Sequence, residues 1–321
     1  MEKHQETFFG CDTEYKDARI VIFGAPFDST TSYRPGTRDA SRVMRAEAYG
    51  LETFSPYQDL DLVDAQIFDS GDLELAFGDS EKPLAIIEKR AAEILSDGKL
   101  PFMLGGEHLV TLGAVRAAAK KYPDLCVVHF DAHTDLRDEF LGSKLSHASV
   151  LRRCWDILGD GRIAQFGIRS GEGAEFRWAE KEGHTSLHRF DFKGLREAAA
   201  EFSGKPVYFT IDLDVMDPAY FPGTGTPEAG GVTFKELLQA ALTVIKNANV
   251  VACDLVELAP NLDQSGASTA TALKVMREMM LALEKPFIKA ETVSPVTKAE
   301  WELGIPPEPN ICAGSHSWYI Q

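Results

Sequence analysis

Positive charge is in short supply in this chain: 33 Lys and Arg stand against 49 Asp and Glu, a formal net charge of −16 over 321 residues. Nucleic acid is bound through basic surfaces, so this balance speaks against it as a partner. The surplus of acid is compatible with steering a small cation, or with solubility alone. Cysteine is sparse and scattered. Cys11, Cys126, Cys154, Cys253 and Cys312 show no paired spacing, which argues against a disulfide framework and for a reducing, cytoplasmic setting. Long apolar runs are missing too. None approaches the roughly 20 residues that span a bilayer, and Met1-Glu-Lys-His-Gln-Glu6 lacks the apolar segment of a signal peptide, so no membrane association is expected. There is no GxGxxG, no phosphate-loop motif and no repeat of solenoid length.

Hydrophobic residues make up 44% of the chain, enough for one sizeable core. Ile20–Phe23, Ile67–Phe68, Leu100–Leu104, Leu125–Phe130, Ala164–Ile168, Val207–Ile211 and Val250–Leu258 read as strands. Helical spacing is expected over Asp39–Tyr49, Leu84–Leu95, Leu109–Lys121, Ala174–Glu182, Leu195–Phe202, Phe234–Lys246 and Ala267–Leu283. The alternation predicts an α/β fold with a mostly parallel sheet covered on both faces. Residues 1–290 are expected to form a single domain. Residues 291–321, with Pro295, Pro306, Pro307 and Pro309, read as an extended C-terminal arm.

Three strand runs end in metal-ligating residue types. Asp131, His133 and Asp135 follow one, Asp212 and Asp214 a second, and His108 follows Gly105-Gly106 after a third. In a strand, positions i, i+2 and i+4 share a face, so the members of each cluster are expected to project together. Binding sites in parallel sheets form beyond the carboxyl ends of strands. Singly, each cluster has an ordinary alternative: a solvated strand end, an acidic loop, a helix-capping histidine. Together, four carboxylates and two imidazoles suit a pair of divalent ions better than one tetrahedral zinc. Two such ions about 3.5–4 Å apart hold a hydroxide between them. Glu107 reads as structural, pointed away by the helix start. Glu257 interrupts an apolar strand, and a buried Glu needs a partner, whether a bound guanidinium or an internal Arg. His147 lies in the polar loop Leu141–Ser149, either as a proton relay near neutral pH or simply exposed.

Gly105-Gly-Glu-His108, His129-Phe-Asp-Ala-His-Thr-Asp135, Thr210-Ile-Asp-Leu-Asp214, Pro222-Gly-Thr-Gly-Thr-Pro227 and Asp254-Leu-Val-Glu-Leu-Ala-Pro260 together resemble the ureohydrolase family of arginases and agmatinases, and bacterial agmatinases most. The resemblance runs from about Ile20 to Leu283. It implies a three-layer α/β/α domain, homotrimers or homohexamers, and two Mn²⁺ per subunit. His108, Asp131, Asp135 and Asp212 would hold one ion; Asp131, His133, Asp212 and Asp214 would hold the other. Asp135 would also accept a hydrogen bond from the bridging hydroxide, His147 would shuttle protons, and Glu257 would bind the guanidinium. The implied reaction is hydrolysis of agmatine to putrescine and urea, by a hydroxide bridging two Mn ions.

Within that family, arginases hold the amino-acid end of their substrate with an SGN-type motif. The matching loop here, Leu136–His147, lacks it. Agmatine is therefore expected ahead of 4-guanidinobutanoate or free guanidine, and these ahead of arginine. Asp138, Glu139 and Glu172 are the acidic groups that would suit an amine tail. The resemblance also puts the turn-rich segments Arg34–Arg38 and Pro222–Pro227 near the site. A non-catalytic metal-binding homologue and a single-zinc deacetylase-like hydrolase are the remaining alternatives.

Overall fold

The computed structural model describes residues 7–76 and 78–284. The expected arm at 291–321 lies outside the described residues. The strands are β1 (Ile20–Ala25), β2 (Phe54–Ser55), β3 (Leu60–Asp61), β4 (Ile67–Asp72), β5 (Leu100–Gly105), β6 (Cys126–Phe130), β7 (Ile163–Ile168), β8 (Ser186–Arg189), β9 (Pro206–Asp212) and β10 (Asn249–Val256). β2 and β3 form a small antiparallel pair. The rest build one sheet in the order β4-β1-β5-β10-β9-β6-β7-β8, with every pairing parallel. The helices are α1 (Ala40–Glu47), α2 (Glu81–Ser96), α3 (Thr111–Lys121), α4 (Val150–Leu158), α5 (Gly173–Phe176), α6 (Leu195–Glu201), α7 (Phe234–Asn247) and α8 (Ala267–Glu284).

Strand alternation sorts the apolar residues into two cores, one on each face of the sheet. Ile20, Ile22, Val128, Phe130, Phe209 and Ile211 pack with apolar residues of α1, α6, α7 and α8. Val21, Phe23, Val127 and Tyr208 pack with α2, α3 and α4. A sheet buried on both faces needs continuous apolar strands, which is why these runs are legible in the sequence. The result is the α/β sandwich expected, with helices on both faces of a parallel sheet.

Several parts differ from the expectation, among them the unexpected β2–β3 pair and a π-helical turn at Arg177–Lys181 inside the expected 174–182 helix. β4 runs on past Phe68 to Asp72, because its acids are neutralised: Asp69 Oδ2 lies 2.8 Å from the buried Arg45. β8 is a half-exposed edge strand with no apolar run to mark it. α4 was not expected, since Arg152, Arg153 and Asp156 interrupt its apolar stripe, yet Val150, Leu151 and Cys154 suffice to bury one face. Among the described residues, no helix is long and apolar enough to cross a membrane.

The consequence for function lies at one edge. β5, β10, β9 and β6 are four adjacent strands. Their carboxyl ends lead into His108, Glu257, Asp212 and Asp131.

Candidate metal centre

Gly106 makes the first corner of the site. A Cβ added there would sit 1.8 Å from the Phe27 carbonyl oxygen, so only glycine fits this approach. The corner is stitched by Gly106 N–H to Ala25 O (3.0 Å), Glu107 N–H to Phe27 O (2.7 Å) and Glu257 N–H to Gly106 O (3.0 Å). His108 then opens a single 3₁₀ turn ahead of α3. Its Nε2 lies 3.0 Å from Thr210 Oγ1. Donation from Nε2–H to Thr210 is the tautomer that leaves the Nδ1 lone pair free, as a metal ligand requires.

That lone pair faces three carboxylates. Nδ1 is 3.1 Å from Asp131 Oδ2, 3.3 Å from Asp135 Oδ2 and 3.3 Å from Asp212 Oδ2, yet it has no hydrogen-bond partner. Four acceptors converging in a buried space repel one another unless a cation sits among them. The protonation preferences say the same. Burial alone would lower the His108 pKa, but Asp131, Asp135 and Asp212 reverse this and push it well up. Burial, then Asp214 and Asp131, push Asp212 well up. Burial and Asp131 take Asp135 to about 7. The donor set therefore fits a divalent ion.

A second cluster adjoins the first. His133 Nδ1 lies 3.0 Å from Asp214 Oδ2 and 3.4 Å from Asp131 Oδ1, and these three residues form a potential metal-binding group. Asp131 belongs to both clusters. All six ligand candidates from the sequence thus meet, but not by strand alternation. β6 ends at Phe130, so Asp131, His133 and Asp135 lie on a loop. Asp135 adopts a left-handed backbone (φ 52°), which turns its carboxylate back toward His108. Its carbonyl is held by the Leu151 and Arg152 amides of α4, at 3.1 and 3.2 Å. Asp214 sits in a 3₁₀ turn after β9, where its amide donates to Asp212 Oδ1 at 2.8 Å.

His129 is close enough to count as a ligand, and the sequence reading passed over it. Its partners give it another task. The Gln165 carbonyl oxygen is taken by the Thr185 hydroxyl (3.1 Å), so the Gln165 amide group donates to His129 Nδ1 (3.1 Å). Nε2–H is then free to donate to Asp131 Oδ2 at 2.8 Å, and His129 orients a ligand candidate. Burial lowers its pKa, in keeping with a neutral ring.

The clusters floor a cavity of about 290 Å³ lined by His133, Asp135, Arg137, His147, Glu172 and Glu257, among others. Glu257 is also left-handed (φ 65°). Its Oε1 accepts from the His108 amide at 2.7 Å, and burial, then Glu107, push its pKa well up. No protein arginine pairs with it among the described ion pairs, so the internal-Arg alternative gains no support. Of the acids considered for an amine tail, only Glu172 reaches the cavity wall. Asp138 is paired with Arg153 at 2.8 Å. The segments Arg34–Arg38 and Pro222–Pro227 dock on each other through Arg34 Nε to Gly225 O (3.1 Å) and Nη2 to Thr224 O (2.7 Å). Thr226 from the second lines the cavity.

A parallel α/β sandwich with carboxylate–histidine clusters at its strand tips defines a class of metal-assisted hydrolases. The sequence matches the Arginase family over residues 18–282. The agmatinase of Bacillus anthracis is 45% identical over 282 residues, covering 87% of this chain and 97% of its own length. A guanidinobutyrase of Pseudomonas aeruginosa is 34% identical over 287 residues, covering 83% and 86%. The crystal structure of the agmatine ureohydrolase of Thermoplasma volcanium superposes with a TM-score of 0.80 at 35% identity, covering 88% of this chain and 96% of that one. The chain belongs to the arginase family, and it is a hydrolase of carbon–nitrogen bonds.

Proposed function

We propose that this enzyme hydrolyses agmatine to putrescine and urea. The observation that carries the reading is the unpartnered His108 Nδ1 facing three buried carboxylates, in a chain whose relatives include agmatinases. His108, Asp131, Asp135 and Asp212 would hold one Mn²⁺, and Asp131, His133, Asp212 and Asp214 the second. Oxygen-rich ligand sets of this kind suit manganese. When bound, such ions neutralise the clustered acids and supply hydroxide near neutral pH.

The chain's own residues supply the rest. Glu257, fixed through Oε1 to the His108 amide, receives the planar guanidinium on the cavity floor. Asp135 orients the nucleophilic water as a hydrogen-bond acceptor. His147 is uncharged at neutral pH, because burial lowers its pKa to about 4, and it relays the proton that the departing amine must gain. Glu172 on the wall receives the cationic tail, displacing the Arg137 side chain that lies 3.2 Å from it.

That same Arg137 favours a second reading. A guanidine with a carboxylate tail, such as 4-guanidinobutanoate, would pair with it, and a guanidinobutyrase is among the relatives. One experiment separates the two: urea release from the Mn²⁺-reconstituted enzyme with agmatine, 4-guanidinobutanoate, arginine and guanidine. Agmatine should give the highest kcat/KM. A higher value for 4-guanidinobutanoate would install the second reading, and no urea from any of them would sink both. The resemblance further implies a cytoplasmic homotrimer or homohexamer, which light scattering on the eluting enzyme would count.

A further inference from the structure

We propose that Glu107 is a positioning residue that selects the tautomer of His147, acting through the hydroxyl of Thr30. The inference rests on the reading of His147 as the proton relay. Glu107 precedes a metal-ligand candidate yet points away from it. Its side chain is fully buried, and it accepts from the Thr30 amide (2.9 Å), the Thr30 hydroxyl (2.5 Å) and the Thr31 hydroxyl (3.1 Å). A carboxylate placed under a loop in this way gathers every proton the loop can offer.

The consequence passes to His147. A hydroxyl has one proton to give, and Thr30 gives its own to Glu107. Toward His147, Thr30 Oγ1 therefore presents lone pairs alone. It accepts the His147 amide at 3.0 Å and stands 3.5 Å from ring Nδ1. Lone pair against lone pair is repulsive, so the hydrogen-bond network assigns the ring proton to Nδ1. Nε2 is left basic, 3.3 Å from Ser32 Oγ, in a side chain that lines the cavity. The Phe140 ring packs edge-to-face with the imidazole, ring centroids 5.7 Å apart. A relay needs this arrangement: Nε2 takes a proton and returns it, while the Nδ1 proton never moves. The logic is that of a carboxylate orienting a catalytic imidazole, here with a hydroxyl inserted between them.

A double-mutant cycle on kcat tests it, with metal content measured for every variant so that loss of ions is not mistaken for loss of relay. Glu107→Gln and Thr30→Val should each lower kcat about 10- to 100-fold at unchanged KM for agmatine, and Thr30→Ser should restore most of what Thr30→Val loses. In a His147→Asn background, Glu107→Gln and Thr30→Val should cost nothing further. If His147→Asn lowers kcat but the other two changes leave it alone, or cost the same in both backgrounds, the positioning role is wrong and the relay reading survives. If His147→Asn itself leaves kcat intact, the relay reading falls and takes the positioning role with it. Should Glu107→Gln not fold, Thr30→Val against Thr30→Ser decides the question alone.

Discussion

Asp131 stands where the two ligand clusters meet, buried and bonded to His129 and the His133 amide. Its replacement by Ala should abolish metal binding and urea release together, measured by metal analysis and turnover on one preparation; full activity in the metal-free variant would end the metal assignment. Glu172 tests substrate choice more gently. A partly exposed contact between a carboxylate and an ammonium is worth about 1 kcal/mol, or about 5-fold. Glu172→Gln should therefore raise KM for agmatine by about that factor and leave kcat unchanged; an unchanged KM would remove Glu172 from the site. At this scale the sequence was a good guide to which ligand candidates the fold brings together, because metal-ligating side chains are chemically distinctive. It was a poor guide to their neighbours. His129 carries the same side chain as the ligand candidates, and only its hydrogen-bond partners show that it orients Asp131 instead.

Among the elements, the ends carry more of the chemistry than the middles. Two of the left-handed residues, Asp135 and Glu257, fall at the tips of site loops, where strained backbone is retained because surrounding contacts hold it. No spacing rule signals this, so the expectation that strand alternation would align Asp131, His133 and Asp135 reached the right grouping by the wrong geometry. The start of α8 offers a test independent of metal. Burial alone would raise the Asp263 pKa, but bonds from Ser265 and Ser268 outweigh it and hold the carboxyl at about 2. Ser268 Oγ also accepts from the Gly223 amide at 2.9 Å, tying the helix to the Pro222–Pro227 segment. A pKa below the ordinary value means the carboxylate stabilises the fold fully above about pH 4, and that this contribution fades as pH falls toward 2. Asp263→Asn should thus cost about 2 kcal/mol at pH 7, with the gap closing below pH 4; a gap constant across that range in denaturant titrations would exclude the carboxylate as its source.

For the whole molecule, four neighbouring strands each bring acidic or imidazole groups to one end of the sheet, and the folded state concentrates charge that the unfolded chain would spread through water. Ions that bind only the folded form stabilise it by about 2.7 kcal/mol at 100 times their Kd. Mn²⁺ should therefore raise the Tm of the wild type and chelation should lower it, while Asp131→Ala should show no such shift in a thermal scan. An equal shift in the variant would place the ions elsewhere. The sequence by itself determined the layered α/β architecture and which side chains stand as ligand candidates, since buried strands must be apolar and metal-binding side chains are few. Only the tertiary structure decided which partner each imidazole nitrogen meets, which acid reaches the cavity wall and which loop turns back on itself. Those outcomes depend on contacts between segments far apart along the chain, where distance in sequence says nothing about distance in space.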